Sequence, residues 1–153
     1  MTNHWFCVTN QENWAIIRKK KIWGVPERRR GRIEKVRTRD YLIFYVTPQS
    51  IGGIFKAVSE SFQSDETIFR WGEFGRHEVF PYRINIDPVF LPTERIRFTK
   101  ELANKLEFIT YKQKYSIHFR TAMKLISEKD FQVFEGFLRR NLKGSSTIAD
   151  KIN

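Results

Sequence analysis

The chain alternates between short β-type runs and helix-type runs along its 153 residues. Tyr41 to Val46 is an unbroken apolar, β-branched and aromatic run, which predicts a central strand covered on both faces. Residues 79–91 alternate instead, with Phe80, Tyr82, Ile84 and Ile86 in phase. That pattern predicts a strand with one buried face, bounded by Pro88 and Pro92. Residues 4–8 read as a short strand. Arg39-Asp40 reads as a turn, residues 48–53 as a hairpin-type loop, and residues 54–59 as its returning strand. Residues 62–75 are irregular and aromatic.

Helix signals punctuate these runs. Thr9-Asn-Gln-Glu12 has the capping-box pattern, with Thr9 as the expected cap. The helix runs from about residue 10 to about residue 20, with Trp14 and Ile17 facing inward. Arg18 to Lys21 suit its negative end. Ile22 to Val25 leaves the helix in extended form, Pro26 prevents its resumption, and residues 27–32 form a basic loop around Gly31. Thr99 caps a short helix carrying Leu102 and Leu106. Ser127-Glu-Lys-Asp130 is a second capping box, with Ile126 and Phe131 as a hydrophobic staple. Phe131, Phe134 and Leu138 recur at helical spacing, and Gly144 is positioned to end that helix. The order β-α-β-β-β-α-α predicts the α+β class: a small, strongly curved sheet closed by helices. Residues 1–143 make one domain, and residues 144–153 a disordered tail.

Charge changes the picture more than composition does. The formal net charge is +11, and residues 18–39 hold eleven basic residues against Glu27 and Glu34. The rest of the chain is close to neutral. A single positive stretch favours a polyanion, with nucleic acid the first choice and a solvated charge run the plain alternative. Lys19, Lys20, Lys21, Arg28, Arg29, Arg30 and Arg32 are the phosphate-binding candidates. No segment has the roughly 20 apolar residues of a membrane span. Cys7 is the single cysteine, so no internal disulfide forms. The N-terminus lacks a signal-peptide plan, and a cytoplasmic location is expected.

Catalytic and metal-binding patterns are missing. His4, His77 and His118 are scattered, and one cysteine does not complete a ligand set, so neither metal nor cofactor is expected. Gly52-Gly53 suits a turn better than a phosphate cradle. No nucleophile motif or acid pair stands out, which argues against an enzyme.

Asn13 lies in the first turn of the first helix, and Trp23 follows that helix ten residues later. An amide offers a donor and an acceptor to a base edge, and an indole offers a stacking plane. The same residues also fit a cap support and a core filler. Arg83 fits either a phosphate or an internal acid such as Asp40.

Several segments resemble the EVE domain family. They are Trp5 to Trp14, Ile22-Trp-Gly-Val25, Asp40 followed by Leu42 to Val46, Gly53 to Glu60, Asp65, Phe80 to Pro88, and Ser116 to Phe119 before the capped last helix. The similarity spans about residues 4–142. EVE domains group with PUA and YTH domains, so the resemblance implies a PUA-like small curved β-barrel flanked by short helices. It also implies a pocket for an unpaired or flipped, modified base. Residues 10–13 and Trp23 are similar to the YTH segment that supplies an Asn and a cage Trp. By that correspondence Asn13 bonds the base edge and Trp23 stacks on the base. Thr9 or Asn10 adds a polar contact, and Gly24 contacts through its backbone. Trp71 and Tyr82 are candidates for the second wall. The chain departs from many EVE proteins at Pro26-Glu27, where they carry Arg-Asn, and the basic cluster from Arg28 follows. The expected partner is RNA or DNA. An RNA-processing or RNA-modifying enzyme using His118, and a binder of a small nucleotide-like ligand, are the alternatives.

Overall fold

In the computed structural model, residues 2–69, 79–119 and 121–142 are described below. Trp71, Phe74, His77 and Gly144 lie outside them, as does the tail expected to be disordered. The strands are β1 (His4–Thr9), β2 (Ile22–Val25), β3 (Tyr41–Val46), β4 (Ser50–Ala57), β5 (Phe62–Gln63), β6 (Tyr82–Phe90), β7 (Ile96–Arg97) and β8 (Met123–Ile126). The helices are α1 (Gln11–Lys20), α2 (Arg30–Ile33), α3 (Lys100–Lys105) and α4 (Glu128–Arg140), with 3-10 segments at Glu27–Arg29 and Lys112–Phe119. One curled sheet has the order β2-β6-β4-β3-β1-β8, with β5 paired to β6 and β7 to β4. β1 and β3 are parallel, His4 opposite Tyr41 through Thr9 opposite Val46; the other pairings are antiparallel.

β3 is apolar throughout because both of its faces are covered. Leu42, Phe44 and Val46 join Trp5, Cys7, Trp14, Ile17 and Trp23 in one core, inside the curl. Ile43 and Tyr45 join Phe6, Phe98, Leu102, Phe131, Phe134 and Leu138 in a second core under α3 and α4. Period-2 alternation between two apolar layers produces a continuous apolar run.

Local chemistry corrects several expectations. Asn10, not Thr9, caps α1: its side chain accepts from the Asn13 amide at 2.8 Å, while Thr9 stays in β1 paired with Val46. Asn is as good a cap as Thr, and the strand's ladder holds Thr9 in place. Residues 27–32 are not an open loop but a 3-10 turn leading into α2. Ile33 explains the difference, since burying it in the inner core organises the basic residues before it.

The hairpin loop is shorter than expected, and β4 begins at Ser50. Its Gly52 lies under the Trp14 indole, where an added Cβ would come within 2.4 Å of the ring. The glycine is thus a packing requirement of the strand as well as part of the turn region. Pro88 sits inside β6 rather than at its end. It pairs with Phe55 at a register shift, where the ladder tolerates a missing N–H. β8 leaves no signal in the sequence, because four residues are too few to show a period.

Two helix caps match expectation: Thr99 accepts from the Leu102 amide at 3.2 Å and Ser127 from the Asp130 amide at 3.0 Å. α4 ends at Arg140 and is capped by Asn141, whose side chain donates to the Phe137 carbonyl at 2.8 Å. Asp130 adds a tie from α4 to the chain after α3, accepting from the Glu107 and Phe108 amides at 2.8 and 2.9 Å.

Candidate nucleic-acid site

The β2–β6 ladder sorts the candidate residues onto two faces. Trp23 lies opposite Ile84 and Val25 opposite Tyr82, while Gly24 lies opposite Arg83. Side chains alternate along a strand, so Trp23 and Tyr82 share the inner face as diagonal neighbours, and Gly24 and Arg83 share the other. Trp23 is 2% exposed and meets Phe44 edge-on at 5.3 Å. Its Nε1 has no hydrogen-bond partner, the one such buried side-chain atom among the described residues. Asn13 is also buried, in the first turn of α1. Thr9 is buried, and Asn10 is half-buried with its Oδ1 used by the cap. Trp71 lies outside the described residues.

On the other face the Gly24 backbone is covered. A Cβ there would meet Phe69 Cε2 at 2.8 Å and Arg83 Cγ at 3.2 Å. Arg83 is buried, donating to the Phe80 carbonyl at 2.8 Å, to Ser64 Oγ at 3.1 Å and to the Glu66 carbonyl. Its guanidinium also lies 5.6 Å from the centre of the Phe69 ring. Burial pulls it below its usual pKa. Asp40 is bonded elsewhere: it accepts from the Asn3 amide, Trp5 Nε1 and the Arg37 amide at 3.0, 3.1 and 2.9 Å. Arg83 therefore ties the segment after β5 to the sheet through neutral acceptors, a role that nothing in the sequence signalled.

The basic residues divide by their surroundings. Lys19, Lys20, Lys21 and Arg28 are exposed, and Arg29 is partly so. Lys20 lines a shallow groove with Glu12, Ile16, Thr67 and Ile68. Arg30 pairs with Glu34 at 3.0 Å and lies 4.9 Å over the Tyr82 ring. The Tyr82 hydroxyl makes long contacts with Arg30 Nη1 at 3.4 Å and Glu27 Oε1 at 3.5 Å. Arg32 donates to the Met123 carbonyl at 2.6 Å, so α2 bridges β6 to β8.

His118 is the remaining candidate for chemistry. Its Nε2 accepts from the Tyr111 amide at 3.1 Å, so the lone pair there is engaged. Burial lowers its pKa, and Lys124 and Lys112 act in the same direction. His4 is also lowered by burial, against Glu128 and Asp40, and packs between Tyr41 and Phe131. A histidine whose folded-state pKa lies below the unfolded value of about 6.5 binds a proton less readily when folded. Its contribution to stability is complete above about pH 6.5 and is lost as pH falls from there through the folded pKa. Urea midpoints measured between pH 7.5 and 5 should therefore fall with acid, and His4→Phe combined with His118→Gln should flatten that fall. An equal slope in the double variant would assign the acid sensitivity to other groups. Among the described residues no cluster of metal-ligating side chains occurs, and no helix is long and apolar enough to cross a membrane.

A curled sheet with short helices on both sides, and aromatic side chains within the curl, defines a PUA-like domain. Solved structures share that fold. The Mmi1 YTH domain in complex with RNA is 15% identical with a TM-score of 0.58, covering 91% of this chain and 85% of its own. Human THYN1 in complex with 5-methylcytosine-containing DNA is 14% identical with a TM-score of 0.58, covering 89% and 97%. The chain belongs to the EVE domain family, whose model matches residues 3–136. A UPF0310 protein from Pyrococcus abyssi is 36% identical over 146 residues, 89% of this chain and 99% of the relative.

Proposed function

We propose that this EVE domain is a nucleic-acid-binding module that takes one unpaired or flipped, modified base against Trp23, with its basic surface on the flanking phosphates. The carrying observation is the buried Trp23 indole, whose N–H has no acceptor among the described residues. A buried donor without a partner costs about 1–3 kcal/mol. A base acceptor beside it would remove that penalty and give affinity where the free protein has none. Tyr82 on the same face and Asn13 on α1 are the other base contacts in this reading. Lys19, Lys20, Lys21, Arg28 and Arg29 supply the phosphate contacts. Two proteins of the same fold, bound to RNA and to methylated DNA, support the choice of partner.

The direct test is to recover the oligonucleotides that co-purify with the protein and identify their nucleosides by mass spectrometry. One modified nucleoside should be enriched over total cellular nucleic acid. Nucleosides in bulk proportions would describe a backbone binder with no base pocket.

A further inference from the structure

We propose that the nucleic-acid strand makes a second contact across the β8 edge, where Lys124 binds a backbone phosphate and Tyr111 stacks on an adjacent base. This rests on the nucleic-acid reading above but uses none of the residues assigned to the base.

Lys124 lies in β8 opposite Phe6, half-buried, with its Nζ 5.5 Å from the centre of the Phe108 ring. No ion pair holds it among the described residues. Several other surface cations do have acids: Lys105 with Glu101, Lys129 with Glu107, Arg139 with Glu135. The charge that acts most on Lys124 is basic. Arg32 on one side lowers its pKa, after burial, and Lys124 in turn lowers His118 on the other.

These neighbours are also fixed in place by neutral groups. Arg32 is held on the Met123 carbonyl at 2.6 Å, and Lys112 on the Ala103 and Leu106 carbonyls at 3.1 and 2.5 Å. Carbonyls orient a cation without cancelling its charge. The positive potential along Arg32, Lys124 and Lys112 therefore stays uncompensated and preorganised, and a phosphodiester is the anion it suits. Beside it, Tyr111 is 48% exposed, and its amide is bonded to His118 at 3.1 Å. An exposed ring next to fixed cations is the combination that binds single strands. α2 joins this contact to the proposed base site, since Arg30 covers Tyr82 and Arg32 reaches β8 from the same turn of helix.

The test uses fluorescein-labelled, random-sequence single-stranded 12-mers, RNA and DNA, titrated by anisotropy over a range of salt concentrations, with inorganic phosphate as a competitor. Lys124→Gln should weaken 12-mer binding several-fold at low salt and reduce the log–log salt slope by about 0.7. Its melting temperature should be no lower than the parent's, because a half-buried charge under repulsion has been removed. Tyr111→Ala should weaken binding roughly 5- to 150-fold with the slope unchanged. A parent that binds neither 12-mer overturns the nucleic-acid reading itself. A parent that binds while Lys124→Gln keeps its full slope overturns this second contact and leaves the base site standing. A Lys124 effect that inorganic phosphate at low millimolar concentration abolishes, with Tyr111→Ala neutral, reduces the contact to a phosphate-ion site and also overturns it.

Discussion

Trp23→Ala should destabilise the domain by about 3–5 kcal/mol, the range for removing a buried indole, whereas Trp23→Phe should stay folded and lose affinity. The indole is buried against Phe44 in the inner core, so truncation to Ala leaves a cavity that confuses stability with binding. Phenylalanine keeps most of the ring and deletes the N–H, which has no partner among the described residues. Its folding cost is therefore confined to a modest loss of packing. If a base acceptor meets that N–H, the Phe variant leaves the acceptor unpaired and binding weakens by about 1 kcal/mol, roughly fivefold. That loss should not depend on salt, because no counterion is involved. Thermal melts and anisotropy titrations of the two variants separate the effects. A Phe variant that binds as tightly as the parent would remove Trp23 from the site.

Arg83→Met should cost about 2 kcal/mol in urea unfolding, because the variant leaves the buried Phe80 carbonyl without a donor and gives up the part-buried bonds to Ser64 and Glu66. Methionine preserves the apolar stem beside Gly24 and Phe69 but loses the bonds to Phe80, Ser64 and Glu66. Arg83→Lys should recover less than half of the loss, since an ammonium cannot present donors in the same planar fork. The segment holding Ser64 and Glu66 should become the first site of proteolysis. A loss below about 1 kcal/mol would mean that water replaces the guanidinium without penalty.

What the sequence revealed follows from which signals are local. β3 and the caps of α3 and α4 were legible because each depends on a run or a four-residue pattern. Thr9 and Asn10 are indistinguishable in the sequence because both are good caps and only the length of the β1–β3 ladder decides between them. The pairing of Trp23 with Tyr82 rests in the sequence on resemblance alone, because their shared face comes from the β2–β6 register, which pairs residues about sixty apart. Arg32 and Arg30 read alike as phosphate-binding bases, and Arg83 fits either a phosphate or an internal acid. The fold separates them into a carbonyl tie to β8, a cover on Tyr82 and a buried clamp. Lys124 and Tyr111 carried no signal at all, since neither falls in the charged stretch.

The two apolar layers on opposite sides of β3 have a consequence for how such a domain diversifies. Phe44 and Tyr45 are chain neighbours, but their rings belong to different layers. A substitution under α4 reaches the Trp23 side through strand backbone, which is stiff, and not through side-chain contact. A lineage can therefore rebuild the packing of one layer while leaving the side-chain packing of the other in place. The two layers can evolve on separate sets of positions within a single small sheet.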